Sequence, residues 1–463
     1  MEGKLHINTT AVHGGGRKDD CFGAINEPIY MTSNYRIPTD GTPVDWSGIH
    51  SNIYQRNRNP NQMVLQDKLC ALTGAEDGAV FASGVAALAA VFTTTLNSGD
   101  HAIVSEVCYS ATNLLFREYL PKKYGVEVTL LDTTDTEAVR AAVRPNTKLI
   151  HVETPGNPTT GISDIDAIAD IAHKAGALLS VDATFAGPIC IRPLSHGADL
   201  EIHSMTKYIN GHGDSLGGCV LGRTALIDQI KELAMVNYGG ILSPFNAWLV
   251  ARGLSTVPLR MKQHSAVAMK VAEFLESCPA TRFVWYPGLK SHPQHERAEK
   301  LMHGEYSGMI SFDLKGDEKQ HEKFLDALKL VTHAVSLGDI ETLIVYYDRN
   351  SDKLPHYPAV YQEGFFRFSI GLEDAEDIIA DLTQAMLEGV AFAIRDSLEV
   401  ARSLGLDIRR SKLCGGGAKS PLWRTILANV LGLELELPVS EQGPGMGGIS
   451  SGLPMGIIMG SGA

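Results

Sequence analysis

The segment "LEIHSMTKYINGHGDSLGG", residues 200–218, places a lysine between hydroxyl residues and glycines. Lys207 follows a strand-like run and has Ser204 and Thr206 as close neighbours. Most lysines are solvated surface charges. A lysine that forms a Schiff base needs shielding from water, a lowered pKa and nearby groups that hold an anionic cofactor. Ser204 and Thr206 could supply those groups, so the segment raises the hypothesis of a Schiff-base lysine.

Two further motifs with chemical potential follow strand-like runs. In "SVDATFA", Asp182 stands just beyond an apolar run, where a carboxylate either caps a helix or pairs with a buried cation such as a protonated pyridine nitrogen. In "FASGV", Ser83, Gly84 and Val85 occupy a strand-to-helix turn. Backbone N–H groups at a helix N-terminus bind phosphate well, although an ordinary helix start gives the same pattern.

Three other segments carry polar or aromatic side chains that have both a functional and an ordinary interpretation. Glu153 and Asn157 lie in "HVETPGNPTTG", which is either part of a site or a rigid proline loop. Tyr109 in "VCYSATN" is either an aromatic platform or a core tyrosine. Tyr54 and Arg56 in "NIYQRNRNPN" indicate either an anion-binding arm or a solvated basic loop.

The elements that must position these residues alternate between short apolar runs and helical stretches over residues 61–250. Such alternation predicts a mostly parallel sheet with helices on both faces and a site at the carboxyl ends of its strands. Residues 1–60 are irregular and predict an arm, while residues 251–385 predict a smaller α+β domain. Residues 386–463 form a separate appended segment.

Composition restricts the class of protein. The chain has 463 residues and a net charge of -13, which argues against nucleic acid or an anionic membrane as partner. Its seven cysteines include no CxxC pair and predict a reducing compartment without a disulfide framework. No signal-like N-terminus or membrane-length apolar run is present in the sequence, so a cytoplasmic location is expected, and no metal site is predicted.

The order of the motifs, from "YQRNRNPN" through "FASGVAAL", "VETPGNPT", "VDATFAGP" and "HSMTKYINGHGD" to "FRFSIGLED", resembles the Cys/Met-metabolism family of pyridoxal-phosphate enzymes over about residues 8–385. That family includes methionine γ-lyase, cystathionine γ-lyase, cystathionine γ-synthase and cystathionine β-lyase. The resemblance implies an α/β fold of the aspartate-aminotransferase type (fold type I), with pyridoxal phosphate as cofactor. It also implies a homo-oligomer that is a dimer of dimers.

The resemblance also implies roles for individual residues. Lys207 carries the cofactor as a Schiff base, Asp182 pairs with the pyridine nitrogen, and Tyr109 stacks on the ring and assists proton transfer. Arg367 receives the substrate carboxylate. The remaining implied contacts are with the cofactor phosphate, its ring hydroxyl or the substrate, and they involve Ser83, Gly84, Val85, Ser204, Thr206, Asn157, Ser336, and Tyr54 and Arg56 from the neighbouring subunit.

The expected reaction is γ-elimination from a sulfur amino acid of the methionine or cystathionine type, giving a thiol, a 2-oxo acid and ammonia. A γ-replacement synthase of the cystathionine γ-synthase or O-acylhomoserine sulfhydrylase type, and a β-lyase, remain alternatives. A catalytically idle homologue is disfavoured because Lys207, Asp182, Tyr109 and Arg367 are all present. Departures from the family pattern, including Asp339 and the tyrosine-rich segment 344–364, border the expected side-chain pocket and leave room for an unusual leaving group.

The appended segment resembles a C-terminal fragment of xylulokinase-like sugar kinases through "GGGAKSPLWR" and "EQGPGMGG". A glycine turn alone does not transfer phosphate, so no kinase activity is expected. One apolar stripe is predicted at Val390, Ile394, Leu398, Ala401 and Leu404, and a second follows at Trp423, Ile426, Leu427 and Val430. Two such stripes are expected to need the enzyme surface for burial or to stay poorly ordered.

Overall fold

The computed structural model describes residues 5–16, 22–351 and 354–437. The chain divides into two compact units. The first comprises the chain up to Asp313 together with His333–Ala375, and the second comprises Leu314–Thr332 together with the chain from Glu376 onward.

Helices and strands alternate along the chain. The helices are α1 Ile7–His13, α2 Pro60–Thr73, α3 Gly84–Thr95, α4 Ser110–Leu114, α5 Leu120–Tyr124, α6 Thr136–Ala141, α7 Ile165–Lys174, α8 Gly187–Cys190, α9 Thr224–Ile230, α10 Pro244–Leu254, α11 Val257–Ser277, α12 His295–Met302, α13 Glu318–Ala327, α14 Ala375–Ser403 and α15 Pro421–Leu431. The strands are β1 Asp77–Phe81, β2 His101–Ser105, β3 Glu127–Leu131, β4 Thr147–Glu153, β5 Leu178–Asp182, β6 Leu200–Ser204, β7 Gly218–Gly222, β8 Thr281–Trp285, β9 Met309–Leu314, β10 Thr332–His333, β11 Leu343–Tyr347, β12 Phe365–Ser369, β13 Arg410–Lys412 and β14 Glu434–Glu436. Two π-helical segments, Leu115–Tyr119 and Lys231–Asn237, extend α4 and α9.

The seven-stranded sheet has the order β1-β7-β6-β5-β4-β2-β3. Strands β2 to β6 pair in parallel, and only β7 runs antiparallel to its two neighbours. Strand β2, "HAIVS", is buried along its whole length, as expected for a parallel strand covered on both faces. The predicted α/β fold with a mostly parallel central sheet is confirmed.

Two helix boundaries that were expected from the sequence depend on identifiable caps. Helix α2 begins after Asn59, whose side chain accepts from the N–H of Asn61, and ends at Gly74 with φ 82°. Helix α3 begins after Ser83, whose Oγ accepts from the N–H of Ala86. Both caps satisfy backbone groups that the helix itself leaves unpaired.

A second sheet has the order β10-β11-β12-β9-β8, and β12 pairs antiparallel with both β11 and β9. The tyrosine-rich segment beside it turns inward. Tyr361 is fully buried, and its hydroxyl donates to the carbonyl of Thr159 at 2.7 Å. With Tyr357 and Phe365 it forms an aromatic cluster, so these tyrosines stabilise the fold rather than simply presenting polar groups to a ligand.

The last part of the described chain contains a small core of its own. Ala391 and Leu398 of α14 pack with Trp423 and Leu427 of α15 in one apolar cluster. The expectation that the two stripes could not bury each other is therefore wrong. Helix α15 is capped by Ser420, whose side chain accepts from the N–H of Trp423, and Pro421 lies in its first turn.

The position of the first apolar stripe also differs from the prediction. Val390 and Leu404 are exposed, at 43% and 75% of their surface. The buried line is instead Leu387, Ala391, Ile394 and Leu398. The steps of four, three and four residues keep this line on one face, whereas Val390 and Leu404 lie farther round the helix.

Among the described residues, no helix is both long enough and apolar enough to cross a membrane.

Candidate active site

Lys207 lies in the turn that follows β6. Its backbone N–H donates to the carbonyl of Ser204, and its Nζ donates to Oγ of Ser336 at 2.8 Å. Burial, and to a smaller extent the positive charge of Arg367, lowers the pKa of Lys207 to about 8, while Asp339 opposes the shift. A lysine in this environment has a substantial neutral fraction near neutral pH, which a nucleophilic amine needs.

Arg260 of α11 fixes the backbone after Lys207, and the sequence interpretation did not identify it. Its guanidinium is buried and donates to the carbonyls of Tyr208 and Ile209 at 2.6 and 3.1 Å. Gly211 has φ +64°, and a Cβ there would come within 1.8 Å of the Arg260 guanidinium. The glycine that follows the lysine was the one sequence signal for this close approach.

Arg367 lies on β12 and connects two of the predicted residues. One terminal nitrogen donates to the carbonyl of Ser336 at 2.9 Å, and the other donates to Oδ1 of Asn157 at 3.3 Å. Within the described residues, the buried Nε of Arg367 has no hydrogen-bond partner. An unpaired buried donor is costly, so this guanidinium is prepared to receive an anionic oxygen.

Asp182 and Glu153 end neighbouring strands and face each other in register. Oδ1 of Asp182 accepts from the N–H and the hydroxyl of Thr184, at 3.0 and 2.6 Å. Burial raises the pKa of Asp182. Burial and the nearby charge of Asp182 raise the pKa of Glu153 well above its usual value. A bound cation beside Asp182 would counter the cost of this buried negative charge.

Glu153 also joins two segments that follow different strands. Its Oε2 accepts from the N–H of Tyr109 at 2.7 Å, and its Oε1 accepts from the N–H of Asn157 at 2.8 Å. Tyr109 precedes α4, and its side chain is 40% exposed. The structure thus brings Tyr109 and Asn157 together through one carboxylate that was not among the predicted site residues.

The start of α3 forms a tight cradle with the residues after β6. A Cβ on Gly84 would approach Cβ of Ser204 to 2.7 Å, and a Cβ on Gly218 would meet the carbonyl oxygen of Ser83 at 2.2 Å. Val85 lies in the first turn of α3. The backbone N–H groups at the start of α3 and the hydroxyl of Ser204 therefore lie close together, as a phosphate site requires.

Thr206 makes contacts with the chain before β7. Its Oγ1 accepts from the N–H of Gly217 at 3.1 Å and lies 3.3 Å from the carbonyl of that residue. These contacts hold the chain before β7 against the turn that carries Lys207.

Tyr54 and Arg56 lie apart from this network of contacts. Both side chains are exposed, and the guanidinium of Arg56 lies 5.2 Å from the ring centroid of Tyr54. Within the part of the chain that the structure describes, neither is hydrogen-bonded to Lys207 or Arg367. The prediction that they serve a neighbouring subunit remains a prediction.

The donor set fits pyridoxal phosphate. A buried carboxylate can face a protonated ring nitrogen, a lysine of lowered pKa can reach an aldehyde, and a helix start with a hydroxyl neighbour can receive a phosphate. Described residues contain no group of three or more His, Cys, Asp or Glu side chains that could hold a metal ion. Together with the mostly parallel sheet, these features define a fold type I pyridoxal-phosphate enzyme.

Comparison with known proteins identifies the family. Residues 8–387 match the Cys/Met metabolism PLP-dependent enzyme family, and the chain belongs to it. It is 51% identical over 385 residues to a canavanine γ-lyase from Rhizobium leguminosarum bv. trifolii, covering 82% of this chain and 96% of the relative. It is 41% identical over 387 residues to an L-methionine γ-lyase from Porphyromonas gingivalis, covering 82% of this chain and 96% of that relative.

The fold is shared with a solved structure. The crystal structure of metB from Corynebacterium glutamicum superimposes with a TM-score of 0.76 at 39% identity, covering 82% of this chain and 98% of that one. Family, fold, cofactor and assignment to the pyridoxal-phosphate lyases of this family are therefore as the sequence predicted.

A second match covers the end of the chain. Residues 326–452 match the C-terminal domain of the FGGY family of carbohydrate kinases, so the predicted resemblance is confirmed. The match overlaps the first family from residue 326 to residue 387. The motif "EQGPGMGG", residues 441–448, lies outside the residues that the structure describes.

Proposed function

We propose that this enzyme eliminates the γ-substituent of a sulfur amino acid of the methionine or cystathionine type, releasing a thiol, a 2-oxo acid and ammonia. The observation that carries the proposal is the chain of contacts from Lys207 through Ser336 to Arg367 and Asn157. It places an amine of lowered pKa beside a buried guanidinium that has a free donor. One group can therefore move protons while the other fixes an amino-acid carboxylate.

The cofactor, when bound, supplies an electron sink for the negative charge that develops at the substrate Cα. We assign Lys207 to its attachment and Asp182 to keeping its ring nitrogen protonated. Asn157 would hold the ring hydroxyl, and Tyr109 would stack on the ring. The phosphate is assigned to Ser83, Gly84, Val85, Ser204 and Thr206.

Arg367 binds the substrate carboxylate through its two-pronged guanidinium, which sets the Cα–H bond toward Lys207. The amine of Lys207 accepts the Cα proton, passes it on, and, neutral again, accepts a Cβ proton. Loss of the Cβ proton leaves its electron pair to form the Cβ–Cγ double bond as the Cγ–S bond breaks. The sulfur departs with that bonding pair and takes a proton from Tyr109. A proton then returns to Cγ, and hydrolysis by water releases the 2-oxo acid and ammonia.

A second candidate is a substrate whose γ-leaving group is basic and attached through oxygen, as in canavanine. The carboxylate of Asp339 favours it, because this carboxylate acts on Lys207 and lies against Gly213, where a Cβ would come within 2.3 Å of it. A relative at 51% identity is a canavanine γ-lyase. A carboxylate near the reacting amine would attract a cationic side chain.

The test is a panel of methionine, cystathionine and canavanine, with 2-oxo acid, ammonia and thiol measured with and without an added thiol acceptor. Product without acceptor supports elimination, whereas product only with acceptor would make the enzyme a γ-replacement synthase. A preference for canavanine would select the second candidate, and a 2-oxo acid one carbon shorter would indicate β-elimination.

Lys207 provides an independent test of the chemistry. The purified enzyme should show a visible Schiff-base absorption band that borohydride removes, and Lys207→Ala should abolish turnover. Lys174→Ala is the matched control, because this lysine is largely exposed on α7. Wild-type turnover in Lys207→Ala would refute the assignment.

We propose further that the enzyme works as a homo-oligomer, at least a dimer and by family a dimer of dimers. Tyr54 and Arg56 would then complete the phosphate site of a neighbouring subunit, which fits their exposure. The proposed domains are an arm over 1–60, a cofactor domain over 61–250, a small domain over 251–385 and an appended kinase-like segment. A cytoplasmic location is proposed from the cysteine content, and the six described cysteines are free thiols.

A further inference from the structure

We propose that Glu153 is a positioning residue that sets the Tyr109 ring and the Asn157 amide in register with the cofactor. The inference rests on the roles proposed above for those two residues. Glu153 itself touches neither substrate nor cofactor in this assignment. It acts by holding, with one buried carboxylate, the backbones of both residues that do.

The contacts of Glu153 are divided between its two oxygens. Each oxygen accepts one backbone N–H, that of Tyr109 at 2.7 Å and that of Asn157 at 2.8 Å. Glu153 is 5% exposed, so both bonds are made away from bulk water. The two N–H bonds favour the charged form of Glu153 and so oppose the burial and the Asp182 charge, which raise its pKa.

Tyr109 and Asn157 belong to separate segments, and Glu153 is the contact that they share. Tyr109 follows β2 and Asn157 follows β4. Helices α4, α5 and α6 and strands β3 and β4 lie between them in the chain. The Tyr109 side chain makes no capping bond to α4, and its ring is 40% exposed. The position of that ring therefore depends on the backbone N–H that Glu153 holds.

Asn157 is connected onward to the substrate end of the site. Its Oδ1 accepts from Arg367, and Arg367 also donates to the carbonyl of Ser336, whose Oγ accepts from Lys207. Glu153 thus links the ring-facing side of the site to the carboxylate-binding side. Its register partner Asp182 is the carboxylate assigned to the ring nitrogen. A shift of Glu153 would therefore also move Asp182 relative to that nitrogen.

The substitution Glu153→Gln removes one of the two acceptors at nearly constant volume. The glutamine carbonyl can replace one carboxylate oxygen, but its NH₂ group then meets a backbone N–H donor. We expect the holoenzyme of Glu153→Gln to lose cofactor about tenfold faster than wild type, as loss of one buried hydrogen bond implies. We also expect a reduced visible circular-dichroism band, and a larger fall in kcat than rise in KM.

Glu106→Gln is the matched control. Glu106 lies just after β2, and its carboxylate contacts Arg117 and His356 near the surface instead of site backbone. This variant should retain the wild-type cofactor release rate and dichroism. Equal changes in both variants would overturn the proposal.

A double-mutant cycle separates positioning from a purely structural role. If Glu153 acts through Tyr109, the effect of Glu153→Gln on cofactor release should largely disappear in a Tyr109→Ala background. Full additivity, or a wild-type release rate and dichroism in Glu153→Gln, would overturn the inference. If Glu153→Gln does not fold, Glu153→Asp takes its place in the cycle, because it keeps the charge but cannot span both N–H groups.

Failure of the positioning role can be distinguished from failure of the proposed function. Borohydride trapping of cofactor on Lys207 in the wild-type enzyme tests the function. If trapping succeeds and Glu153→Gln matches wild type, only the positioning role is wrong. If trapping fails in wild type, the functional assignment itself is wrong.

Discussion

Replacing Arg367 tests the part of the site that should distinguish substrate binding from cofactor binding. Its side chain is 8% exposed, and its terminal nitrogens are held by Ser336 and Asn157. The third nitrogen of the guanidinium, Nε, has no partner among the described residues. A substrate carboxylate would therefore meet a desolvated cation that is already oriented.

The expected magnitude follows from that burial. Removing one partner of a buried, hydrogen-bonded ion pair costs about 2–5 kcal/mol. This corresponds to a loss of about 30- to 5,000-fold in kcat/KM for Arg367→Ala. Arg367→Lys keeps the charge but loses the fork, so it should fall between Arg367→Ala and wild type.

The substitution Arg367→Ala should weaken cofactor binding much less than it lowers kcat/KM. Arg367→Ala also removes one donor from Oδ1 of Asn157 and one from the carbonyl of Ser336. A hydrogen bond from a charged group is worth about 1.5–3 kcal/mol, and only part of that loss reaches the cofactor through Asn157, so cofactor affinity should fall much less than kcat/KM.

The assay measures steady-state turnover beside cofactor release from the holoenzyme. Arg252→Ala, at the end of α10, serves as a control for the loss of an arginine elsewhere in the chain. Parallel losses of turnover and cofactor in Arg367→Ala would show that Arg367 supports the fold of the site and does not bind the carboxylate.

Three further predictions address pH, assembly and the appended segment. Because the pKa of Lys207 is about 8, its neutral fraction should be about one tenth at pH 7 and about nine tenths at pH 9, so cofactor uptake by cofactor-free enzyme should accelerate about tenfold over that range; a flat profile would contradict the lowered pKa. Inactive Lys207→Ala and Arg56→Ala subunits should regain some turnover when mixed, and no recovery in hybrids shown to form would contradict a shared site. Truncation after Met386 should leave lyase turnover largely intact, and truncation after Ser403 is a control that keeps α14 whole. Neither the full chain nor the control should phosphorylate a pentulose with ATP. Collapse of lyase turnover, or measurable kinase activity, would contradict this prediction.

Local chemistry made several elements readable in the sequence. Gly74 and Ser83 mark the end of α2 and the start of α3, because the required φ angle and the capping oxygen depend on the residue itself. The runs that became β2, β4 and β5 were also readable, since a strand covered on both faces is mostly apolar. The order of motifs then identified the family.

The helix face buried at the end of the chain could not be read correctly. The predicted stripe included Val390 and Leu404, yet Ala391 and Leu398 are the residues that pack against α15. Apolar periodicity marks a helix, but which side is buried depends on the partner helix and its crossing position. Those are properties of the assembled chain.

The sequence by itself determined the kinds of group available to the site: a lysine after a strand, a carboxylate at a strand end and an arginine on a late strand. Only the tertiary structure decided how they are coupled. Glu153 accepts from the N–H of Tyr109, and Arg260 holds the turn after Lys207, through bonds between residues far apart in the chain. Residue type sets what a side chain can donate or accept, whereas the partner it meets is fixed by strand order and register, which no single stretch of sequence contains.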